Sequence, residues 1–392
     1  MNKTKRILCL ALVLMLAFSF AACSSKTADE PTAAPTVAPE TTAPETDAPP
    51  PVDEGKRVGI SMPTQSLQRW NQDGDYLKQE FEAAGHTVDL QYGGDNDVPT
   101  QVAQVDQMVA DGCDVIVIAA IDGSSLSAPL AAAKAAGITI ISYDRLLLNS
   151  DAVDYYATFN NVKVGTLQGT YIENALDLKN AEGPFNIEFF AGDPGDSNAG
   201  YFFQGAIDVL KPYLDSGVLV CPSGGTEFSQ AATADWNSAN AQSRMENIIS
   251  QNSYAPSGGT KLDAVMCSND STAFGVETAL VAAGWTKDTM PIVTGQDCDK
   301  ANVINMKAGL QSMSVFKDTR TLAARVVTMV TAILEGAAVE TTTTYPNGTM
   351  DVPTFECDPG VVTVDGDSAL GYQSVQVALL DSGYYSEADI TG

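Results

Sequence analysis

Short apolar runs alternate with longer helical patterns along most of the chain, and no other feature constrains the fold as much. Strand-like runs are RVGISM (57–62), TVDLQY (87–92), DVIVIAA (114–120), ITIISY (138–143) and YYATF (155–159). A second series contains FNIEFF (185–190), VLVCP (218–222), AVMCS (264–268), PIVTG (291–295) and SMSVF (312–316). Between them lie helical stretches. In VPTQVAQVDQMVADG, Val98, Val102, Val105 and Val109 recur at helical spacing, and Gly112 and Gly137 stand where helices should stop. Strands that are apolar on both faces and separated by helices imply parallel sheets covered on both sides. The series runs to about residue 160 and restarts at 185, so the expected fold is α/β with two doubly wound parallel sheets.

The 392 residues suffice for two domains of ordinary size, and 44% hydrophobic residues allow a substantial core. A formal net charge of −28 argues against nucleic acid or an anionic membrane surface as a partner. The basic start MNKTKR and the apolar run ILCLALVLMLAFSFAA read as a targeting segment. Cys23 follows at once, in FSFAAC, which resembles a bacterial lipoprotein signal in which residues 1–22 are removed and Cys23 is lipidated. Phe20 departs from that pattern, where Leu is more usual, and the alternative is an ordinary secretory signal. Residues 24–54 are rich in Thr, Pro, Ala and Glu and cannot bury enough apolar surface to fold. They are expected to tether a domain working outside the membrane.

Five of the seven cysteines lie in the body: Cys113, Cys221, Cys267, Cys298 and Cys357. Cys113 and Cys267 border apolar runs and are expected as buried thiols, while one disulfide stays open. With no CxxC pair and His86 as the only histidine, a zinc or redox site is not expected.

Ligands of open α/β sheets bind beyond the carboxyl ends of the strands. Those ends carry Arg69 and Trp70, then Asp144-Arg145, Asn160-Asn161, Asp196 and Asn198, Asn269-Asp270, Gln296-Asp297 and Lys317. Trp236 and Asn240 lie in ADWNSAN, a loop entering a helix. Each has a plainer reading. Asn161, Asn198 and Asp270 could cap helices, Arg69 could be solvated, and Trp70 and Trp236 could be core. Taken together, the set is rich in Asp, Asn, Arg and Trp, and lacks His and a phosphate loop. That chemistry suits a sugar, whose hydroxyls both donate and accept and whose C–H faces pack on indole rings. An extracellular glycoside hydrolase is the rival reading, since it needs only two suitably spaced carboxylates. No GxSxG, HExxH or Walker motif is present. A repressor would need a basic DNA-binding head, where this chain has a signal and an acidic tether.

At these positions RWNQDG, SYDRLLLNS, YYATFNN, FFAGDPGDSNA, CSNDSTAFG, VTGQDCD and VFKDTR resemble, in order, segments of bacterial solute-binding proteins for xylose and multiple monosaccharides. These belong to the ribose/galactose-type ABC importers. The resemblance covers most of residues 56–390. It implies a periplasmic-binding-protein type I fold of two lobes joined by three strands, with a monosaccharide such as xylose, glucose or galactose held between them as they close. The sugar contacts it implies are Arg69, Trp70, Asp144, Arg145, Asn161, Asn198, Trp236, Asn240, Asp270, Asp297 and Lys317. Asn160 departs from the family, where Asp is usual, and no acidic calcium loop is evident. The resemblance further implies a first lobe of 55–160 plus 298–344, a second of 161–297 plus 345–392, and hinges near 159–162, 295–299 and 340–350. It implies no enzyme activity and no cofactor, a monomer, an ABC permease as partner, and a lipid-anchored place on the outer face of the cell membrane. A sensory role, presenting bound sugar to a membrane receptor, stays open.

Overall fold

The computed structural model describes residues 55–391, so the expected signal, Cys23 and most of the tether lie outside the described residues. The chain opens with β1 (Arg57–Met62), α1 (Gln68–Ala83), β2 (Thr87–Tyr92), α2 (Val98–Ala110), β3 (Val115–Ile118), α3 (Ser127–Ala135), β4 (Thr139–Tyr143) and β5 (Tyr155–Phe159). The expected strands and helices therefore stand in the expected order. Val115–Ile118 is buried throughout, as a strand covered on both faces requires.

The second series comprises α4 (Asn161–Ala175), β6 (Phe185–Phe190), α5 (Ser197–Ser216), β7 (Leu219–Val220), α6 (Phe228–Ala231), α7 (Ser238–Asn252), β8 (Ala264–Cys267), α8 (Asp270–Ala282) and β9 (Ile292–Val293). Then come α9 (Lys300–Lys307), β10 (Ser314–Phe316), α10 (Thr319–Leu334), β11 (Thr343–Pro346), β12 (Asp351–Cys357), β13 (Gly360–Thr363) and β14 (Gln373–Ser374).

The first sheet has the order β11-β12-β5-β4-β3-β1-β2, parallel except where β11 meets β12. Helices α1 and α10 cover one face: Trp70, Leu77, Phe81, Leu322, Val326 and Val330 pack with Val58, Ile60, Val117 and Ile141. The second lobe holds β7-β6-β8-β9 and β10-β13-β14. Val315 N–H joins them by donating to the Gly295 carbonyl at 3.0 Å, and Asp297 N–H donates to Val315 O at 2.9 Å.

Strand pairing redraws the expected lobe boundaries. Residues 298–316 pack in the second lobe, where Cys298, Val303 and Met306 share a core with Val362, Leu379 and Tyr385. Residues 343–357 belong to the first sheet, because β12 pairs with β5 from Thr354↔Tyr156 to Cys357↔Phe159. The physical reason is a β11–β12 hairpin whose second strand completes the edge beside β5 and shields it. Asn347, in the turn, ties the hairpin down by donating to Leu147 O at 3.2 Å and Ser150 O at 2.7 Å. The chain consequently passes between lobes at Phe159–Asn161, Phe316–Thr319 and Cys357–Gly360. The passage expected at 159–162 is in place, whereas 295–299 and 340–350 lie inside lobes.

The five body cysteines are free thiols, with Cys113 and Cys267 buried, and no disulfide joins them. Among the described residues no helix is long and apolar enough to cross a membrane.

Candidate functional site

Residues beyond the strand ends of both sheets line one cavity. The first lobe supplies Leu67, Arg69, Trp70, Asp144 and Arg145. The second supplies Asp196, Phe202, Trp236, Asn269, Gln296, Asp297 and Asp299, and Lys317 enters from the passage after β10.

Asp144 follows β4 and takes a left-handed backbone, φ +57°. Aspartate enters that region more readily than most residues, and here the surroundings fix it there. Here Asp144 N–H donates to Ala157 O at 2.8 Å. Its carbonyl accepts from Tyr156 Oη at 2.6 Å, Thr158 Oγ1 at 3.0 Å and Asn198 Nδ2 at 2.8 Å. The turn breaks the alternation of a strand, which would send neighbouring side chains to opposite faces. Asp144 and Arg145 accordingly line the same cavity.

The charges of the cavity are interlocked. Arg69 donates to Asp144 Oδ2 at 3.0 Å and to Asp297 Oδ1 at 3.4 Å, and grips Asp73 through two nitrogens at 2.9 and 3.0 Å. Lys317 Nζ lies 3.1 Å from Asp297 and 3.9 Å from Asp144. Arg145 Nε lies 3.0 Å from Asp196 Oδ2, an ion pair without hydrogen-bond geometry, while its Nη1 donates to Ala120 O. Burial works against the Asp144 charge, yet Arg69, Lys317 and Arg145 outweigh it and hold the carboxyl below its ordinary range. Burial raises Asp73 to about 6 despite Arg69, and Asp299 to about 7, with Asp297 adding to the rise. Tyr143, the last residue of β4, donates its hydroxyl to Asp73.

Two indoles and a phenyl ring complete the walls. The Arg69 and Arg145 guanidiniums sit 4.4 and 4.9 Å from the Trp70 ring, and Lys317 Nζ lies 5.4 Å from Phe202. Trp236, itself left-handed at φ +55°, donates Nε1–H to Asp196 Oδ2 at 3.1 Å. Its ring needs a glycine at 192, because a Cβ there would lie 1.9 Å from Trp236 Cη2. Four buried polar atoms of the lining have no hydrogen-bond partner: Trp70 Nε1, Arg145 Nε, Gln296 Oε1 and Asp299 Oδ1. Unpaired donors and acceptors thus occur together on lining residues, whose cations and carboxylates are largely paired with one another.

Of the expected contacts, Arg69, Trp70, Asp144, Arg145, Trp236, Asp297 and Lys317 line this cavity, and Asn161, Asn198, Asn240 and Asp270 do not. Asn198 and Asn161 stand behind it. Asn161 Nδ2 donates to Asn198 Oδ1 at 2.8 Å, and Asn198 in turn donates to the Asp144 carbonyl. Asp270 is buried outside the lining, accepting from Gln311 Nε2 and Ser314 Oγ, both at 2.9 Å. Asn240 is exposed on α7, its side chain turned back to Ala234 O at 3.3 Å. Asn160 caps α4 through Lys163 N–H at 2.9 Å and also lies outside the lining. Asp196, Asn269, Gln296 and Asp299 line the cavity without having been among the expected contacts. Three of them stood at noted strand ends. Asp299 had only its place two residues beyond Asp297 to mark it. Among the described residues no group of His, Cys, Asp or Glu is arranged to hold a metal ion.

Comparison with known proteins agrees with this architecture. Residues 58–338 match the periplasmic binding protein domain. The multiple sugar-binding periplasmic protein of Azospirillum brasilense is 46% identical over 84% of this chain and 90% of its own. The D-xylose-binding periplasmic protein of Escherichia coli is 31% identical over 85% of this chain and 92% of its own. Among solved structures, an ABC transporter solute-binding protein from Clostridium phytofermentans with bound β-D-glucose superposes with a TM-score of 0.80. It shares 54% identity and is matched over 86% of this chain and all of its own length. With its paired α/β lobes and the family domain matched over most of its length, this chain belongs to the periplasmic binding protein family.

Proposed function

We propose that this protein is the extracytoplasmic solute-binding component of an ABC importer and that it binds a monosaccharide, an aldopentose or aldohexose, in the cavity between its lobes. The observation that carries this reading is the set of unpaired donors and acceptors, Trp70 Nε1, Arg145 Nε, Gln296 Oε1 and Asp299 Oδ1, on residues lining a cavity of paired charges walled by Trp70 and Trp236. A sugar hydroxyl can serve donor and acceptor at once, while the C–H faces of the ring pack on indole. Hydrogen bonds to charged groups add about 1.5–3 kcal/mol each, so a few reach the roughly 8 kcal/mol of micromolar affinity. Relatives bearing the names of sugar-binding proteins support the same class of ligand.

In this reading Arg69, Asp144, Asp297 and Lys317 hold hydroxyls, and the lobes close over the sugar. Asn161 and Asn198 act one layer back, by fixing the Asp144 carbonyl. The closed form is what a membrane permease would recognise, Cys23 carries the lipid anchor, and the ligand leaves chemically unchanged. Calorimetric titration with xylose, glucose, galactose, arabinose and ribose tests this. One-to-one binding of at least one aldose is expected, with no product formed. Flat heats for every sugar would sink the reading, and cleavage of a disaccharide would favour a hydrolase.

A further inference from the structure

Gln68, the first residue of α1, directly precedes Arg69 and Trp70 but does not line the cavity. The second lobe holds both ends of its amide. Gln68 Oε1 accepts from Lys300 N–H at 3.1 Å, and Nε2 donates to Tyr385 Oη at 2.6 Å. Tyr385 Oη in turn donates to the Cys298 carbonyl at 2.9 Å. One helical turn along, Gln72 Nε2 approaches Tyr385 Oη at 3.4 Å, and Tyr384 Oη donates to Gln72 Oε1 at 3.3 Å. Tyr384, Tyr385 and Cys298 are buried in the second-lobe core, whereas α1 packs in the first.

We infer that Gln68 and the Tyr385 hydroxyl form a polar clasp outside the cavity, which favours the closed arrangement of the lobes and lengthens the residence of the bound sugar. The inference rests on the sugar-binding reading above. When the lobes part, both ends of the Gln68 amide return to water, so the clasp contributes only to the closed form. A ligand enclosed between lobes leaves after they open. Weakening the clasp therefore acts on the off-rate and leaves diffusional entry unchanged. The placement of Gln68 adds leverage, because the same turn of helix carries Arg69 and Trp70.

Stopped-flow tryptophan fluorescence with D-glucose as the probe tests the clasp, since Trp70 and Trp236 report from the cavity wall. Gln68→Leu and Tyr385→Phe are each expected to raise the off-rate about five- to tenfold, from the loss of one or two neutral hydrogen bonds. The on-rate should stay within about twofold. In Gln68→Leu the ligand-free melting temperature should hold, which a merely structural role would not produce. Tyr385→Phe also loses the bond to the Cys298 carbonyl inside the second lobe, so its melting temperature is expected to fall. The double variant should lose less than the sum of the two single ones, because both remove the Gln68–Tyr385 bond. If Gln68→Leu does not fold, Tyr385→Phe, which deletes one oxygen, carries the test. An unchanged off-rate in a folded variant, with wild type binding glucose, overturns the clasp. Failure of wild type to bind any aldose overturns the sugar reading itself, and the residence claim with it.

Discussion

Asp144 and Asp270 are buried acids beyond strand ends, one in each lobe, and they do opposite things. Each follows a buried strand, β4 or β8, and each is almost wholly inaccessible, at 3% and 0% exposure. Asp144 faces the cavity, with Arg69 at 3.0 Å and Lys317 at 3.9 Å, and these cations keep it ionised. Asp270 faces inward and accepts from Gln311, Ser314 and the Asp299 N–H at 2.9, 2.9 and 2.8 Å. Burial, with Asp299 beside it, pushes its carboxyl well above the ordinary range. The backbone makes the difference. Asp144 turns at φ +57°, while Asp270 starts a regular helix capped by Asn269. Gly295 leaves room for the inward carboxylate, since a Cβ there would lie 2.0 Å from Asp270 Oδ1. An acid at a strand end serves a cleft only when a turn aims it and cations hold its charge.

The sharpest break of this comparison is a pair of titrations with the best-bound aldose. Asp144→Ala is expected to weaken binding by about thirtyfold or more, over 2 kcal/mol, by leaving Arg69 and sugar hydroxyls unmatched. Asp270→Asn keeps the shape of a carboxyl whose proton affinity burial already raises and which does not line the cavity, so affinity should change by less than about threefold. Equal losses would mean that the two acids are not divided as described. A smaller effect belongs to Asn198→Ala, which removes one of three donors from the Asp144 carbonyl. About a tenfold loss is expected, a single hydrogen bond of about 1–1.5 kcal/mol, and full affinity would show that Tyr156 and Thr158 suffice.

The contrast extends to pH. Glu277, buried in the second lobe on α8, is raised to about 8 by burial, against a hydrogen bond from Asn305. Its folded value lies above its ordinary 4.5, so the folded chain binds the extra proton between the two. Stability contributed by this group is therefore greatest at low pH and falls as pH rises from about 4.5 to about 8, by up to about 1.4 kcal/mol per unit. Asp144 has the opposite sign. Its contribution is present above 3.8 and lost as pH falls below that value. Urea melts of Glu277→Gln across pH 5 to 8, about the window between those values, should show a flatter slope than wild type. An unaltered slope would place the proton elsewhere. The smallest change is expected for Asn240→Ala, exposed on α7, whose sugar affinity should match wild type in the same calorimetric titration. A clear loss would bring Asn240 back into the site.

Much of this was legible in the chain because strands and helices announce themselves through periodicity, and strand ends locate the cleft. Arg69, Trp70, Asp144, Arg145, Trp236, Asp297 and Lys317 followed from those ends and from family resemblance. What stayed hidden depends on direction. Asn161, Asn198 and Asp270 lie within two residues of the caps Asn160, Asp196 and Asn269, and order along the chain does not say which neighbour caps and which faces inward. The structure gives capping to the first member of each set, and Asp196 and Asn269 reach the cavity as well. The lobe boundaries were missed for a different reason. Residues 343–357 carry only a local hairpin signal, Asn347-Gly348 between two β-rich runs. Gly348, at φ +90°, fits that turn. Pairing of β12 with β5 joins residues some 200 apart in the chain, and local pattern carries no trace of it.

A crystal structure of the protein grown with D-glucose tests the central claim most directly. The account predicts one sugar enclosed between the lobes, with hydroxyls within hydrogen-bond distance of Asp144 and Arg69 and ring faces against Trp70 or Trp236. Glucose bound elsewhere, or a cavity still closed by the Arg69–Asp144 and Lys317–Asp297 pairs with no sugar inside at saturation, would contradict it.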